Sequence, residues 1–388
     1  MRILQLHICY RQPGGEDAVV RAEQAALEQA GHEVHQHIEE NPVSPVGAAA
    51  ALAGSLWNPL SARRALAAID TTRPDVAHVH NTWFAASPSV LSALRRRRIP
   101  VVMTVHNYRM ICVNSLFLRD GAPCEKCLDH GPWPAVRHRC YRGSRATSAV
   151  AAAGIAVHRG LDTWSRFVDR FIVLSEFARD RLVRAGLPPQ RLVLGSNFVE
   201  DPGPRGTAPS ASGGVLFVGR LSPEKGVHVL LDAWRAASLR GLHLDVIGDG
   251  PDRARLERDA PPGVAFLGRR PAAEVMGQLL RARALVIPSV WYEGQPVTAL
   301  EGMAAGTPLV LSDIGGLPEV LGGREGGWIT PPNRSDTLAQ SLEQMTDDHA
   351  VDARGAQARQ RYVDRFMPPA AVARLEAVYA EAQNSLPS

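Results

Sequence analysis

Aromatic residues make up only 6% of the chain, and no motif that reads bases accompanies them, which argues against nucleic acid as a partner. No apolar run is long and clean enough to span a bilayer. The best candidate, Ala146–Val157, is short, Ala-rich and followed by His158, Arg159 and Asp162, the pattern of a buried helix. No signal-like segment stands before the first apolar strand, since Met1-Arg2-Ile3-Leu4 leads straight into it. The expected location is therefore the cytoplasm. Five cysteines in such a setting do not make a disulfide framework. Neither the Gly-x-Gly-x-x-Gly dinucleotide fingerprint nor a Walker-type Gly-Lys-Ser/Thr occurs, which counts against an NAD-dependent oxidoreductase.

What is present is a long, mixed chain. At 388 residues, 45% hydrophobic and 21% charged, it reads as globular and as more than one domain. The net charge of +4 hides an asymmetry: residues 1–195 carry 24 Lys and Arg against 16 Asp and Glu, while residues 196–388 carry 19 against 23. A basic first half suits an anionic neighbour such as a lipid phosphate or the inner face of a membrane. The plainer explanation for Arg95 to Arg98 is that they end a helix, where cations suit the dipole.

Apolar strand-like runs alternate with helical patterns throughout, which implies parallel sheets with helices on both faces. In the first half, strands are expected at Ile3–Ile8, Val34–Ile38, Val76–His80, Val101–His106 and Phe171–Leu174. A Gly-rich turn, Arg11 to Gly15, precedes a helix from Glu16 to Ala30 that Gly31 stops. Thr147–Phe167 reads as one helix, and Ser175 as the cap of the next. The second half repeats the alternation, with strands at Val215–Val218, Leu242–Ile247, Val264–Leu267, Ala284–Ile287 and Leu309–Leu311. These runs predict a first domain over 1–200 with a Cys-rich insertion at 109–145. A Pro/Gly/Ser linker at 201–214 leads to a second domain at 215–368. A final helix over 369–388 is expected to pack back on the first domain.

The most telling segment runs from Ile287 to Gly306. It leaves a strand, turns sharply and opens a helix at Pro296, whose missing N–H is harmless in a first turn. A free helix N-terminus there suits an anion. Glu293 in the turn, followed by Gly294, and Glu301 eight residues on in the helix could hold hydroxyl groups on either side of a phosphate. Upstream, Phe217 to Gly226 carries Gly219, Arg220 and Lys225 after another strand. Two fixed cations in such a place can neutralise a departing diphosphate. Gly248 follows a further strand and, like Gly14-Gly15 after the first, is weak by itself. Within 109–145, Cys112-x11-Cys124-x2-Cys127-x12-Cys140 fits four thiolates around one structural zinc, which would shape a segment with no core of its own. His130 and His138 are spare ligands. A redox pair and plain buried thiols remain open beside the zinc.

Together these pieces resemble glycosyltransferase family 4, the retaining nucleotide-sugar transferases of the GT-B fold. The likeness covers nearly the whole chain. It rests on Gly14-Gly15, Val79-His80-Asn81, Thr104-Val105-His106-Asn107, Ser175-Glu176-Phe177, Asn197-Phe198-Val199, Gly219–Gly226, Gly248–Pro251 and the Glu-Gly-x-Pro-x4-Glu run from Glu293 to Glu301. The resemblance implies two Rossmann-like doubly wound domains facing a cleft. It implies that Arg220 and Lys225 bind the diphosphate, Glu293 holds sugar hydroxyls and Glu301 ribose hydroxyls, and His106 contacts sugar. Gly14 and Gly15 would offer backbone N–H groups to phosphate, and Gly268, between Leu267 and Arg269, would lie under the base. Gly219, Gly248, Gly294 and Pro296 complete the donor-binding set. No catalytic metal or cofactor is implied, and the lack of an Asp-x-Asp cluster agrees. The expected donor is a UDP- or GDP-linked sugar, and the expected acceptor a saccharide or a lipid-linked one in bacterial surface polysaccharide or glycolipid synthesis. A nucleotide-sugar 2-epimerase on the same fold is the competing enzyme. A non-catalytic scaffold is disfavoured by the intact Arg220/Lys225 pair.

Overall fold

The computed structural model describes residues 1–388 apart from 10–13, 42–43, 45–46, 48–50, 53, 84–85, 240, 324 and 386–388. They divide into two compact units. The first comprises Met1–Phe117, Cys124–Ser196 and Pro369–Ser388, and the second comprises Leu118–Pro123 and Asn197–Pro368.

In the first unit, strands β1 (Arg2–Cys9), β2 (Glu33–Glu40), β3 (Val76–Val79) and β4 (Val101–Val105) belong to one sheet. A two-residue hairpin, β5 (Leu118–Arg119) and β6 (Ala122–Pro123), interrupts the chain and counts with the second unit. Strands β7 (Arg170–Val173) and β8 (Leu192–Leu194) complete the first sheet, whose order is β2-β1-β3-β4-β7-β8, parallel throughout. Covered on both faces, its central strands are near-continuous apolar runs: every residue of β3 and β4 is buried. The polar residues they carry, His78 and Thr104, must then find partners inside the protein.

The second sheet uses β9 (Gly214–Val218), β10 (His243–Ile247), β11 (Val264–Gly268), β12 (Ala284–Ile287), β13 (Leu309–Ser312) and β14 (Gly327–Thr330), in the order β11-β10-β9-β12-β13-β14. Alternate residues feed two cores. Leu216, Leu285 and Leu309 join Met303 and Tyr362 in one, while Val215, Phe217 and Val286 join Trp234 and Leu342 in the other. Strand order reverses between β1 and β3 in the first sheet and between β9 and β12 in the second. Such reversals open a crevice beyond the strands' carboxyl ends, where doubly wound domains take their ligands.

Several expectations need correction. Thr147–Phe167 is two helices, Arg145–Gly160 and Thr163–Phe167, because Asp162 turns left-handed at φ 47°. The 201–214 segment is not a free linker. Arg205 donates to the carbonyls of Gly306 and Ala282, both at 2.9 Å, and Ser210 donates to Asp352 at 2.7 Å. Asp201 pairs with Arg359 at 2.7 Å. All of this lies in the second unit, and the chain changes unit at Ser196. An unexpected helix, Asp348–Arg365, buries Val351, Gly355, Ala358 and Tyr362, a stripe too poor in large apolar residues to stand out in sequence. The final helix, Pro368–Asn384, packs in the first unit, where Glu376 meets His32 at 2.7 Å and Glu381 meets Arg170 at 3.0 Å. Arg95 to Arg98 do close a helix, Ser89–Arg96, and two of them are ion-paired, Arg95 to Asp169 and Arg97 to Asp70. No helix among the described residues is long and apolar enough to cross a membrane.

Candidate active site

In the second unit the chain leaves β9 through Gly219 and Arg220, makes one 3-10 turn at Pro223–Lys225, and enters the helix Val227–Ala236 through Gly226. The N–H of Gly219 donates to Ile247 and that of Gly248 to Gly268, both at 3.0 Å. Gly219, Gly248 and Gly268 thus form a row at the carboxyl ends of β9, β10 and β11. Beyond β12, on the other side of the reversal, Ser289 to Gln295 form a tight loop. Here the expected pair meets: Lys225 Nζ donates to Glu293 Oε1 at 2.7 Å. The Glu293 side chain is 5% exposed and that of Lys225 25%, so the carboxylate is committed to the site while the ammonium still reaches water. The fully buried Ser289 hydroxyl donates to the same Oε1 at 2.7 Å. The Trp291 ring lies 5.3 Å from Nζ, close enough for its face to favour the cation. Ser289 and Trp291 lay in the segment singled out from sequence, but nothing in their spacing marked a role.

Two motifs pin this loop. The N–H of Asn197 donates to Gln295 Oε1 at 2.6 Å and its side chain to the Gln295 carbonyl at 2.8 Å. The N–H of Gly316 donates to the Glu293 carbonyl at 2.8 Å. Gly294 lies within the loop. Pro296 caps the helix Val297–Ala304 rather than sitting in its first turn. Its carbonyl accepts from Ala299, while the N–H groups of Val297 and Thr298 have no partner outside the helix among the described residues. Burial pushes the Glu301 carboxyl above its usual range, and it makes no ion pair among the described residues. Arg220 is exposed and likewise unpaired among them, so the structure joins Lys225 and Glu293 but leaves Arg220 and Glu301 apart from that bond.

In the first unit, Gly14 caps the helix Gly15–Gln29. Arg11, Gln12 and Pro13 of the Gly-rich turn lie outside the described residues. Asp17 anchors the turn: its Oδ2 accepts the Gly14 N–H at 2.6 Å and its Oδ1 lies 2.8 Å from His7 Nε2. Burial alone would raise the Asp17 carboxyl, but the bonds from His7 and Gly14 hold it below its usual value. Burial and Asp17 together push the Cys9 thiol up to about 11. Cys9 is only partly buried, so it borders this cluster instead of filling a core.

His106 stands just past β4 with Nε2 3.1 Å from His80 Nδ1, the two rings stacked at 5.4 Å. Both border a pocket lined by Trp83, Asn107, Arg109 and Trp164 among others. Behind it, His78 lies 2.9 Å from Tyr379 Oη and 2.7 Å from Thr104 Oγ1. Sequence reasoning quoted His80 without a role and missed His78, Glu23 and Asp17, although histidines at the ends of three adjacent strands were a visible signal.

These histidines give the unit a pH response. Burial, with His80 and His106 nearby, holds His78 well below 6.5; burial, with His80 and His7 nearby, does the same to His106. As pH falls through about 6.5, the unfolded chain takes up protons that the folded unit resists, so stability is full above that value and declines below it. The melting temperature is expected to drop by roughly 5 °C or more from pH 7.5 to 5.5. In His78→Gln the slope should be shallower; an unchanged slope would contradict the assignment.

The cysteine segment differs from expectation. It has a small core of its own, in which Val113, Cys127 and Ala135 pack with Ala151, Ala152 and Ile155 against Trp83, Val136, Cys140 and Tyr141. Glu125 ties it to Arg181 and Arg184. Cys112 and Cys127 share a hydrogen bond that lowers Cys112 to about 7 and raises Cys127. A four-thiolate zinc, with bonds near 2.3 Å, needs sulfurs about 3.8 Å apart. No three of Cys112, Cys124, Cys127 and Cys140, nor any such set with His130 or His138, lie within 4.8 Å of one another. The packing in this small core and the Glu125 ion pairs give the segment its shape as the thiols stand.

Comparison with known proteins bears on both units. Residues 13–201 match the family model described as Glycosyltransferase Family 4, and residues 212–348 that described as Glycosyl transferases group 1. Glycogen synthase of Mycobacterium tuberculosis is 31% identical over 308 residues, covering 76% of this chain and 66% of that protein. The putative colanic acid biosynthesis glycosyltransferase WcaL of Salmonella typhimurium is 26% identical over 215 residues, covering 51% of this chain and 53% of that one. The alignments thus span from about half to just under two thirds of these relatives. Among solved structures, Anabaena HepE in complex with UDP superposes with a TM-score of 0.71 at 18% identity, covering 98% of this chain and all of that one.

Proposed function

Because the chain belongs to glycosyltransferase family 4, we propose that it is a retaining glycosyltransferase. It would move a hexosyl group from a UDP- or GDP-linked sugar to a saccharide or lipid-linked acceptor in polysaccharide synthesis. The observation that carries this reading is the bond between Lys225 and Glu293, 2.7 Å long, at the strand-order reversal of the second sheet. An ammonium beside a buried carboxylate at that crevice can turn to a diphosphate when one arrives, while Glu293 keeps Ser289 and accepts sugar hydroxyls.

In this reading Lys225 and the exposed Arg220 carry the positive charge that stabilises the departing diphosphate. The free N–H groups at the start of Val297–Ala304 add to it. The burial-raised carboxyl of Glu301 gains hydrogen bonds from ribose hydroxyls. The bond from the anomeric carbon to the phosphate oxygen breaks, and the acceptor oxygen bonds the same face of that carbon. The acceptor proton passes to the leaving phosphate oxygen, so configuration is retained without a protein nucleophile.

The complexes of HepE with UDP and with UDP-glucose make uridine nucleotides the first to try. In a thermal-shift series the true donor should raise the melting temperature, with about 2.7 kcal/mol of added stability at a hundredfold excess over Kd. Failure of every UDP- and GDP-linked sugar to do so would refute the donor class. Nuclear magnetic resonance of the product tests the stereochemistry, and an inverted anomer would refute the mechanism.

A further inference from the structure

Inside the first unit lies a polar cluster that the transfer chemistry above does not use. Glu23 sits on the helix Gly15–Gln29 and is 4% exposed. Its Oε2 faces two imidazoles, His80 Nε2 at 3.2 Å and His78 Nδ1 at 3.4 Å. Among the described residues neither Glu23 Oε2 nor His80 Nε2 makes an aligned hydrogen bond, so each is an unmet polar atom facing the other across 3.2 Å. A buried carboxylate oxygen that faces two imidazole nitrogens calls for a proton on one of them, because an unmet buried acceptor is costly. His78 has other commitments, to Thr104 and Tyr379. Among the described residues His80 has one, through its Nδ1, which lies 3.1 Å from His106 Nε2. The chain Glu23–His80–His106 therefore runs from the buried interior to the pocket wall, each ring using one nitrogen on each side. His7, held by Asp17, flanks it with its ring 6.3 Å from that of His80.

We propose that Glu23 and His80 are positioning residues that fix the tautomer of His106. Glu23 keeps the proton of His80 on Nε2. His80 Nδ1 is then an acceptor and takes the Nε2–H of His106. The remaining His106 nitrogen, Nδ1, carries a lone pair and accepts a hydrogen bond from a ligand hydroxyl. In a neutral imidazole the bond made by one nitrogen decides what the other can do. The inference rests on the reading of His106 as a substrate contact.

The test is nitrogen-15 spectroscopy of histidine-labelled full-length protein, with His106 assigned through His106→Asn. The wild type should show His106 protonated at Nε2 and bare at Nδ1. A proton on His106 Nδ1 overturns the proposal. In Glu23→Gln the two tautomers should mix, and kcat should fall about 10- to 100-fold with KM within threefold. Glu23→Asp should recover part of kcat. An unchanged tautomer in Glu23→Gln overturns it as well. So does a stoichiometric divalent ion in the purified protein that Glu23→Gln removes, since a metal would then stand where the proton is placed. If the tautomers respond as stated but His106→Ala keeps full activity, the relay stands and the substrate role of His106 is what fails.

Discussion

Lys225→Ala is expected to lower kcat by about 10²- to 10³-fold while the protein stays folded. The side chain projects from a single 3-10 turn, donates to Glu293 through its ammonium and sets that ammonium 5.3 Å from the Trp291 ring. Truncation therefore removes charge from the crevice without opening a core. Its role is greatest when the diphosphate leaves, so the loss should fall mainly on kcat and less on KM. A second effect is separable. Glu293 is buried, and without the ammonium it keeps only Ser289, which costs about 1–3 kcal/mol. Glu293→Gln added to Lys225→Ala should restore the melting temperature but not the activity. Initial rates with the donor found by thermal shift, together with melting curves, check both parts. A Lys225→Ala enzyme as active as the parent would end the proposed mechanism.

The alternation of strands and helices was legible because fully covered strands are unbroken apolar runs. Ten of the strands stand within a residue or two of where the runs placed them. The missed ones are short or begin with turn residues: Leu192–Leu194 follows a proline turn and Gly327–Thr330 opens on glycine. The Asp348–Arg365 helix escaped because Gly355 and Ala358 pack closely by being small. Lys225 and Glu293 were legible because each follows a strand end at a family-like spacing. Ser289 and Gln295 were not, since the Ser289 bond to Glu293 depends on a tight loop with no repeating pattern and Gln295 meets Asn197 from 98 residues away. The 201–214 segment shows the limit of composition. Prolines and glycines mark it as irregular, but the arginine and serine bonds that fasten it to the second unit carry no local pattern. The four cysteines have a suggestive spacing, but the small core in which Cys127 and Cys140 pack was not legible from it.

Gly226→Ala should lower the melting temperature by about 10 °C or more, a large effect on stability for so small a change. Gly226 adopts φ 69°, left-handed, between the 3-10 turn of Lys225 and the following helix. An added Cβ would stand 1.9 Å from the Pro288 carbonyl oxygen and 2.9 Å from its carbon. Both are backbone atoms and cannot rotate aside. Val290 N–H donates to the Glu224 carbonyl at 3.0 Å, so the two loops cannot part without breaking that bond too. Gly241→Ala is the control. It has φ 77° with open space around the site and should cost only about 1–2 kcal/mol for the left-handed backbone. The difference between the two variants isolates the close approach of β12's exit to the Lys225 turn. That approach is also what puts Lys225 against Glu293, so Gly226→Ala protein that still folds should lose donor-induced stabilisation. If Gly226→Ala melts like Gly241→Ala and still responds to the donor, the two loops are not in contact as described, and the ion pair between them has no frame to hold it.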